Sequence, residues 1–160
     1  MNKTKVCIST IVVLVLLSLA AQAEVKVEMK AETVTIQQGK EFLSAAKQAA
    51  PGDIVQYTAT YKNTDKAPAA QVLATLPVPA ATEYVSGSAT PAGAQASVDG
   101  TNFSPIPLKR KVKDSAGKMV EQEIPVSEYR ALRWSLGELA GGASRSVSAR
   151  VRIRTAPAAR

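Results

Sequence analysis

The sequence contains no histidine, and its single cysteine, Cys7, lies near the amino terminus. Histidine is the usual general base near neutral pH, and with cysteine it supplies the commonest transition-metal ligands. Ser-His-Asp triads, Cys-His pairs and zinc sites are thereby excluded. A glycine-rich phosphate loop is also missing, because Gly137, Gly141 and Gly142 fall in an expected turn between strands, not ahead of a helix. The thirteen Asp and Glu are scattered, several alternating with apolar residues as solvated strand faces do, so nothing marks out a carboxylate-pair enzyme. The expectation is a non-catalytic protein with no cofactor and no small-molecule substrate.

Long hydrophobic runs are equally scarce. The one that exists, Ile11 to Leu17, follows Lys3 and Lys5 and leads to Ala21-Gln22-Ala23. A basic start, an apolar core and small residues at the end form a secretory signal peptide, with cleavage expected after Ala23. The core is well short of the roughly 20 residues needed to span a bilayer. Cys7 precedes the apolar core, whereas a lipoprotein signal needs its cysteine at the cleavage point. The mature chain, 137 residues after 23 are removed, would then carry no cysteine and fold without a disulfide in an oxidising compartment. It is expected to hold no transmembrane segment. Its formal charge falls from +7 to +5 with the loss of Lys3 and Lys5. The expected location is periplasmic or extracellular.

What the remainder does contain is alternation of period two. Val147, Ala149, Val151 and Ile153 alternate with Ser146, Ser148, Arg150, Arg152 and Arg154, the pattern of a half-buried strand. Residues 54–63 repeat it, with Val55, Tyr57, Ala59 and Tyr61 on one face; both tyrosine hydroxyls there need partners at a sheet edge. Val25, Val27 and Met29 alternate with charged residues, and Val34 and Ile36 then take the opposite phase, which suggests a bulge or sheet switch near residues 31–33. Further strands are expected at 71–76, 83–86, 94–98, 108–112, 119–124 and 130–136. Turn residues separate them: Pro51-Gly52-Asp53, Asn63-Thr64-Asp65, Asp99-Gly100, 114–117 and Gly141-Gly142. Only 40–50 has helical propensity, rich in Ala, Glu, Lys and Gln and halted by Pro51; helix and irregular connector are equal readings there. Many short strands with Gly and Pro turns predict an all-β antiparallel sandwich. Trp134 shares the apolar phase with Leu132 and Leu136, which predicts a core position.

Five pieces resemble, in order, the conserved repeat modules known as domain of unknown function 11. They are Pro51-Gly52-Asp53-Ile54-Val55-Gln56-Tyr57-Thr58; Tyr61-Lys62-Asn63-Thr64; 69–77 ending in Leu76-Pro77; Glu83-Tyr84-Val85-Ser86-Gly87-Ser88; and Trp134-Ser135-Leu136-Gly137-Glu138-Leu139 with Gly142-Ala143-Ser144. The resemblance spans 51–153 and implies an exported immunoglobulin-like domain, closed by a terminal hairpin and serving as an envelope or surface module. Two departures stand out: Ala74-Thr75 where the family often has Asp before Leu-Pro, and Gly141 where it often has Pro. The organisation expected is a signal peptide (1–23), a leading strand and connector (24–50), the sandwich (51–155) and a short tail (156–160).

Sites suggested by residue type are few. Asp99-Gly100-Thr101-Asn102 and Asn63-Thr64-Asp65 place oxygens on loops, as calcium ligands do, but turns use the same residues without a metal. Lys109-Arg110-Lys111 is basic, yet a hairpin pairing Val112 with Val120 sets Lys111 opposite Glu121 and Lys109 opposite Glu123. Arg145, Arg150, Arg152 and Arg154 form the better polyanion-facing stripe, against the plainer reading that they solubilise a strand. The partner expected is a protein or an envelope polymer. Lipopolysaccharide or nucleic acid on the arginines, and strand addition through 24–36, are the alternatives.

Overall fold

The computed structural model describes residues 23–46 and 48–155; the expected signal segment ahead of Ala23 and the tail 156–160 lie outside the described residues. Eleven strands form in chain order: β1 (Val25–Gln37), β2 (Lys40–Ala45), β3 (Ile54–Asn63), β4 (Ala69–Pro77), β5 (Thr82–Tyr84), β6 (Gln95–Ser97), β7 (Ser104–Pro105), β8 (Lys109–Lys113), β9 (Met119–Glu123), β10 (Ala131–Leu139) and β11 (Ser144–Ile153). A first sheet runs β2-β1-β3-β11-β5, a second β4-β10-β6-β7, and β8 and β9 make a separate hairpin. Every pairing within the named sheets is antiparallel. The described residues are all-β, in a sandwich-like arrangement.

The alternation read from the sequence becomes burial where two sheets face each other. Val55, Ala59 and Tyr61 of β3 and Val147, Ala149 and Val151 of β11 meet Ala74 and Leu76 of β4 and Leu132, Trp134 and Leu136 of β10 in one core. Each large aliphatic side chain buried there stabilises the fold by about 1.5–3 kcal/mol. Trp134 is a core residue, 2% exposed, and its indole N–H donates to the Pro91 carbonyl at 2.8 Å. Buried Asn63 holds the lower loops: its Nδ2 donates to the carbonyls of Ala67 (2.7 Å) and Leu139 (2.9 Å), and its Oδ1 accepts the Asp65 N–H.

Three local expectations are corrected. Residues 40–45 are strand, not helix, because Gln38 and Gly39 both take positive φ (51° and 76°), making a tight two-residue turn that folds the chain back onto β1. Pairing with β1 across six residue pairs then outweighs helix propensity. Residues 31–33 carry no bulge: β1 pairs with β3 in unbroken register from Val25↔Asn63 to Val34↔Ile54. On the new phase Val34 lies opposite Ile54 and Ile36 lies beyond the end of β3, both on the face turned away from the core. The third correction concerns the end of the chain. β10 and β11 lie in different sheets, so their connection is an arch over the edge of the core and not a paired hairpin. Gly137 lies inside β10, at positive φ where the register with β4 shifts, and not in the turn. At Gly141 the arch passes so close to the Lys66 carbonyl that a Cβ would overlap it, which explains glycine at this position.

Candidate functional site

The four arginines in and just after β11 do not form one surface. Arg145 is opposite Tyr61 in the register, on the core-facing phase, and its guanidinium turns over the edge to donate to the Leu136 carbonyl at 2.7 Å. Arg150, Arg152 and Arg154 follow the opposite phase. Each has a partner within the chain. Arg150 donates to Gln56 Oε1 at 3.0 Å and pairs with Glu41 at 2.5 Å; Arg152 lies 3.7 Å from Glu83; Arg154 donates to the Ala80 carbonyl. A polyanion would have to compete with these contacts, and the Arg150 side chain is only about one-third exposed.

The other sequence candidates resolve into local structure. Asp99 accepts hydrogen bonds from the backbone N–H groups of Thr101 and Asn102, the Asn102 side-chain amide and the Ser97 hydroxyl. The Asn102 backbone N–H is the largest of the contributions that hold the Asp99 carboxyl far below the usual carboxylate range. Its oxygens are thus committed to an Asx-type turn. At 63–65, Asn63 faces inward as described, leaving only Asp65 to offer a carboxylate. Among the described residues no three acidic side chains converge as metal ligands would. The basic hairpin adopts the expected register, with Lys109 opposite Glu123 and Lys111 opposite Glu121. Twist moves the contact to the diagonal, so Lys109 reaches Glu121 at 3.6 Å, and Arg110 pairs with Glu128 at 3.0 Å.

Sheet edges distinguish the surfaces better than charge does, because an edge carries unpaired N–H and C=O groups that another chain can use. β5 has three residues and β7 two, one of them proline. β4 is longer but obstructed. Pro68 and Pro77 bracket it, Gln71 bends it with φ 52°, and the Tyr61 hydroxyl reaches across from β3 to accept the Thr75 N–H at 2.9 Å and donate to the Thr75 carbonyl at 3.3 Å. The hydroxyl partner that the sequence required for Tyr61 is therefore the backbone of an edge strand. Beside it, Val25, Val27, Tyr61, Ala69 and Val72 line an open groove of about 560 Å³.

β2 is different. It has six residues, all exposed, with no proline and no bulge. In the two-residue hairpin, Gln37↔Lys40, Thr35↔Phe42 and Thr33↔Ser44 are the hydrogen-bonded pairs. The N–H and C=O groups of Glu41, Leu43 and Ala45 consequently point away from β1 to the open side. Phe42 is 47% exposed on one face, and Leu43 (45%) and Ile36 (76%) on the other. Salt-bridged Glu41 ties this hairpin to Arg150 of β11. Sequence reading missed both features, since the alanines of 40–50 argued for helix. The available signal was Gly39, directly after the alternating segment 25–37. No family profile, curated protein or solved structure matches the chain. Among the described residues, no helix is long and apolar enough to cross a membrane.

Proposed function

We propose that the chain is an exported, non-catalytic module of the bacterial envelope or cell surface, of the immunoglobulin-like conserved-repeat type, which binds a protein partner through its β1–β2 hairpin. The open β2 edge is the observation that carries this reading. Natural sheets blunt such edges with proline, charge, bulges or shortness, and β4, β5 and β7 each show one or more of those devices. β2 shows a charged residue only at its start, Lys40 and Glu41, followed by Phe42 and Leu43. Glu41, Leu43 and Ala45 supply three residues of main-chain pairing, which specifies an extended segment as the occupant, and the side chains on either face supply apolar contact. This is strand addition in a form that leaves β1 in its own sheet.

The signal peptide supports export, the absence of histidine and the scattered carboxylates support a binding role, and the occupied arginines speak against a polyanion. The test is capture of partners by the tagged mature protein from its own envelope fraction, run beside Leu43→Pro. Proline at 43 removes an outward N–H from the edge without removing buried packing. A partner retained by the wild type and lost by Leu43→Pro, with Arg152→Ala unchanged, is the expected result. Equal retention by Leu43→Pro would move binding elsewhere, and loss with Arg152→Ala that steepens with falling salt would restore the polyanion reading.

A further inference from the structure

The start of β1 is fastened in an unusual way. The backbone N–H of Glu24 donates to Asp65 Oδ2 at 2.6 Å, while the Glu24 carbonyl accepts from the Thr64 N–H (3.0 Å) and the Thr64 hydroxyl (3.1 Å). Asp65 is not a loose surface acid. Its own N–H is held by Asn63 Oδ1, its carbonyl accepts the Gly142 N–H, and Asn63 is fully buried with both side-chain ends engaged. The carboxylate thus stands on a support fixed to the core, beside the nitrogen of the expected scissile bond, Ala23–Glu24. That nitrogen is the atom of the bond that the mature chain keeps, and signal removal converts it from neutral to charged.

We propose that Asp65 is the binding site for the protein's own new amino terminus, receiving the Glu24 α-ammonium once the signal peptide is removed; this rests on the export reading above. Hydrolysis breaks the Ala23–Glu24 C–N bond. Water's oxygen goes to the Ala23 carbonyl carbon, which leaves as a carboxylate, and the nitrogen ends as an ammonium. The nitrogen need not move, so an amide-to-carboxylate hydrogen bond becomes a charge-assisted one, a stronger class of contact. Release of the segment ahead of Glu24 also frees Ala23, which is half-buried at the groove with Val25, Tyr61, Pro68 and Ala69. Cleavage therefore anchors β1 and opens that groove in one step.

Other charges near the pair are the Glu24 side chain, 3.9 Å from Lys26 Nζ, Lys62, which is opposite Lys26 in the register, and Lys66 beside Asp65. The Asp65 contact is exposed, so its effect is modest and screened by salt. The sign follows from linkage. An amine whose folded pKa is raised above its unfolded value, about 7.7–8.0, contributes stability that is complete below that value and disappears as pH rises through the folded one.

The experiment uses the protein purified after export, as wild type and Asp65→Asn, a change that keeps shape and an acceptor oxygen. Mass spectrometry first fixes the starting residue, and NMR titration then follows the Glu24 α-amine in both proteins. The expected result is a protein beginning at Glu24, with an amine pKa about half to one unit higher in wild type than in Asp65→Asn, and thermal midpoints that differ at pH 6 and converge by about pH 10. A chain that is not exported and keeps its first 23 residues overturns the export reading and this site with it, and one exported but cut at another bond overturns this site alone. One that begins at Glu24 but titrates identically in both forms overturns the Asp65 site alone.

Discussion

The β10 strand and the β1–β2 hairpin are both antiparallel and both carry large apolar side chains, yet they meet opposite fates. Leu132, Trp134 and Leu136 are buried at the centre, whereas Val27, Met29, Ile36, Phe42 and Leu43 are left substantially exposed. Strand pairing does not separate them, since both are antiparallel. What separates them is the opposing layer: the second sheet ends at β4, and β1 and β2 extend past it. Alternation thus specifies a strand, while burial requires a facing sheet that local sequence does not encode.

The contrast can be broken by matched truncations. Leu132→Ala removes a fully buried side chain and is expected to cost about 2–5 kcal/mol, whereas Leu43→Ala should stay within about 0.5 kcal/mol in denaturant unfolding. Equal costs would mean that something covers the hairpin, and the comparison would fail. Asn63→Ala should follow at about 1–3 kcal/mol, because the buried Leu139 carbonyl and the part-buried Ala67 carbonyl lose their donor. Tyr61→Phe is predicted to cost about 0.5–1.5 kcal/mol by uncovering the Thr75 N–H and C=O. It also sharpens the distinction between edges, since a bared β4 should raise self-association in light scattering. The smallest effect belongs to Asp99. Because hydrogen bonding depresses its folded pKa, its contribution is present above the unfolded value of about 3.9 and fades as pH falls below it. Asp99→Asn should therefore differ from wild type in thermal midpoint at neutral pH and approach it in acid.

Most strands were legible because period two survives in short segments bounded by Gly and Pro. The ends of β3, β4, β10 and β11 fall within a few residues of expectation, and the basic hairpin takes the anticipated register. Illegible features are those set by partners distant in sequence. Tyr61 and Thr75 are 14 residues apart, Glu41 and Arg150 more than a hundred, and no spacing rule links them. The four arginines looked like a stripe because sequence shows their charge and phase but not the acids that strand order brings beside them. Gln38-Gly39 was overlooked because glutamine rarely adopts the left-handed conformation that a tight hairpin imposes, so no turn was expected ahead of residues 40–50.

One asymmetry among the sheet margins has a consequence for assembly. With β4 obstructed, β5 and β7 too short to pair at length, and the five-residue strands of the β8–β9 hairpin lined with charged side chains, the described part of the molecule has one margin left largely unguarded. A segment that docks on β2, whether from another protein or a second copy, would complete a closed complex and leave no comparable margin for the next addition. Such a subunit can cap a row of strands but cannot propagate it.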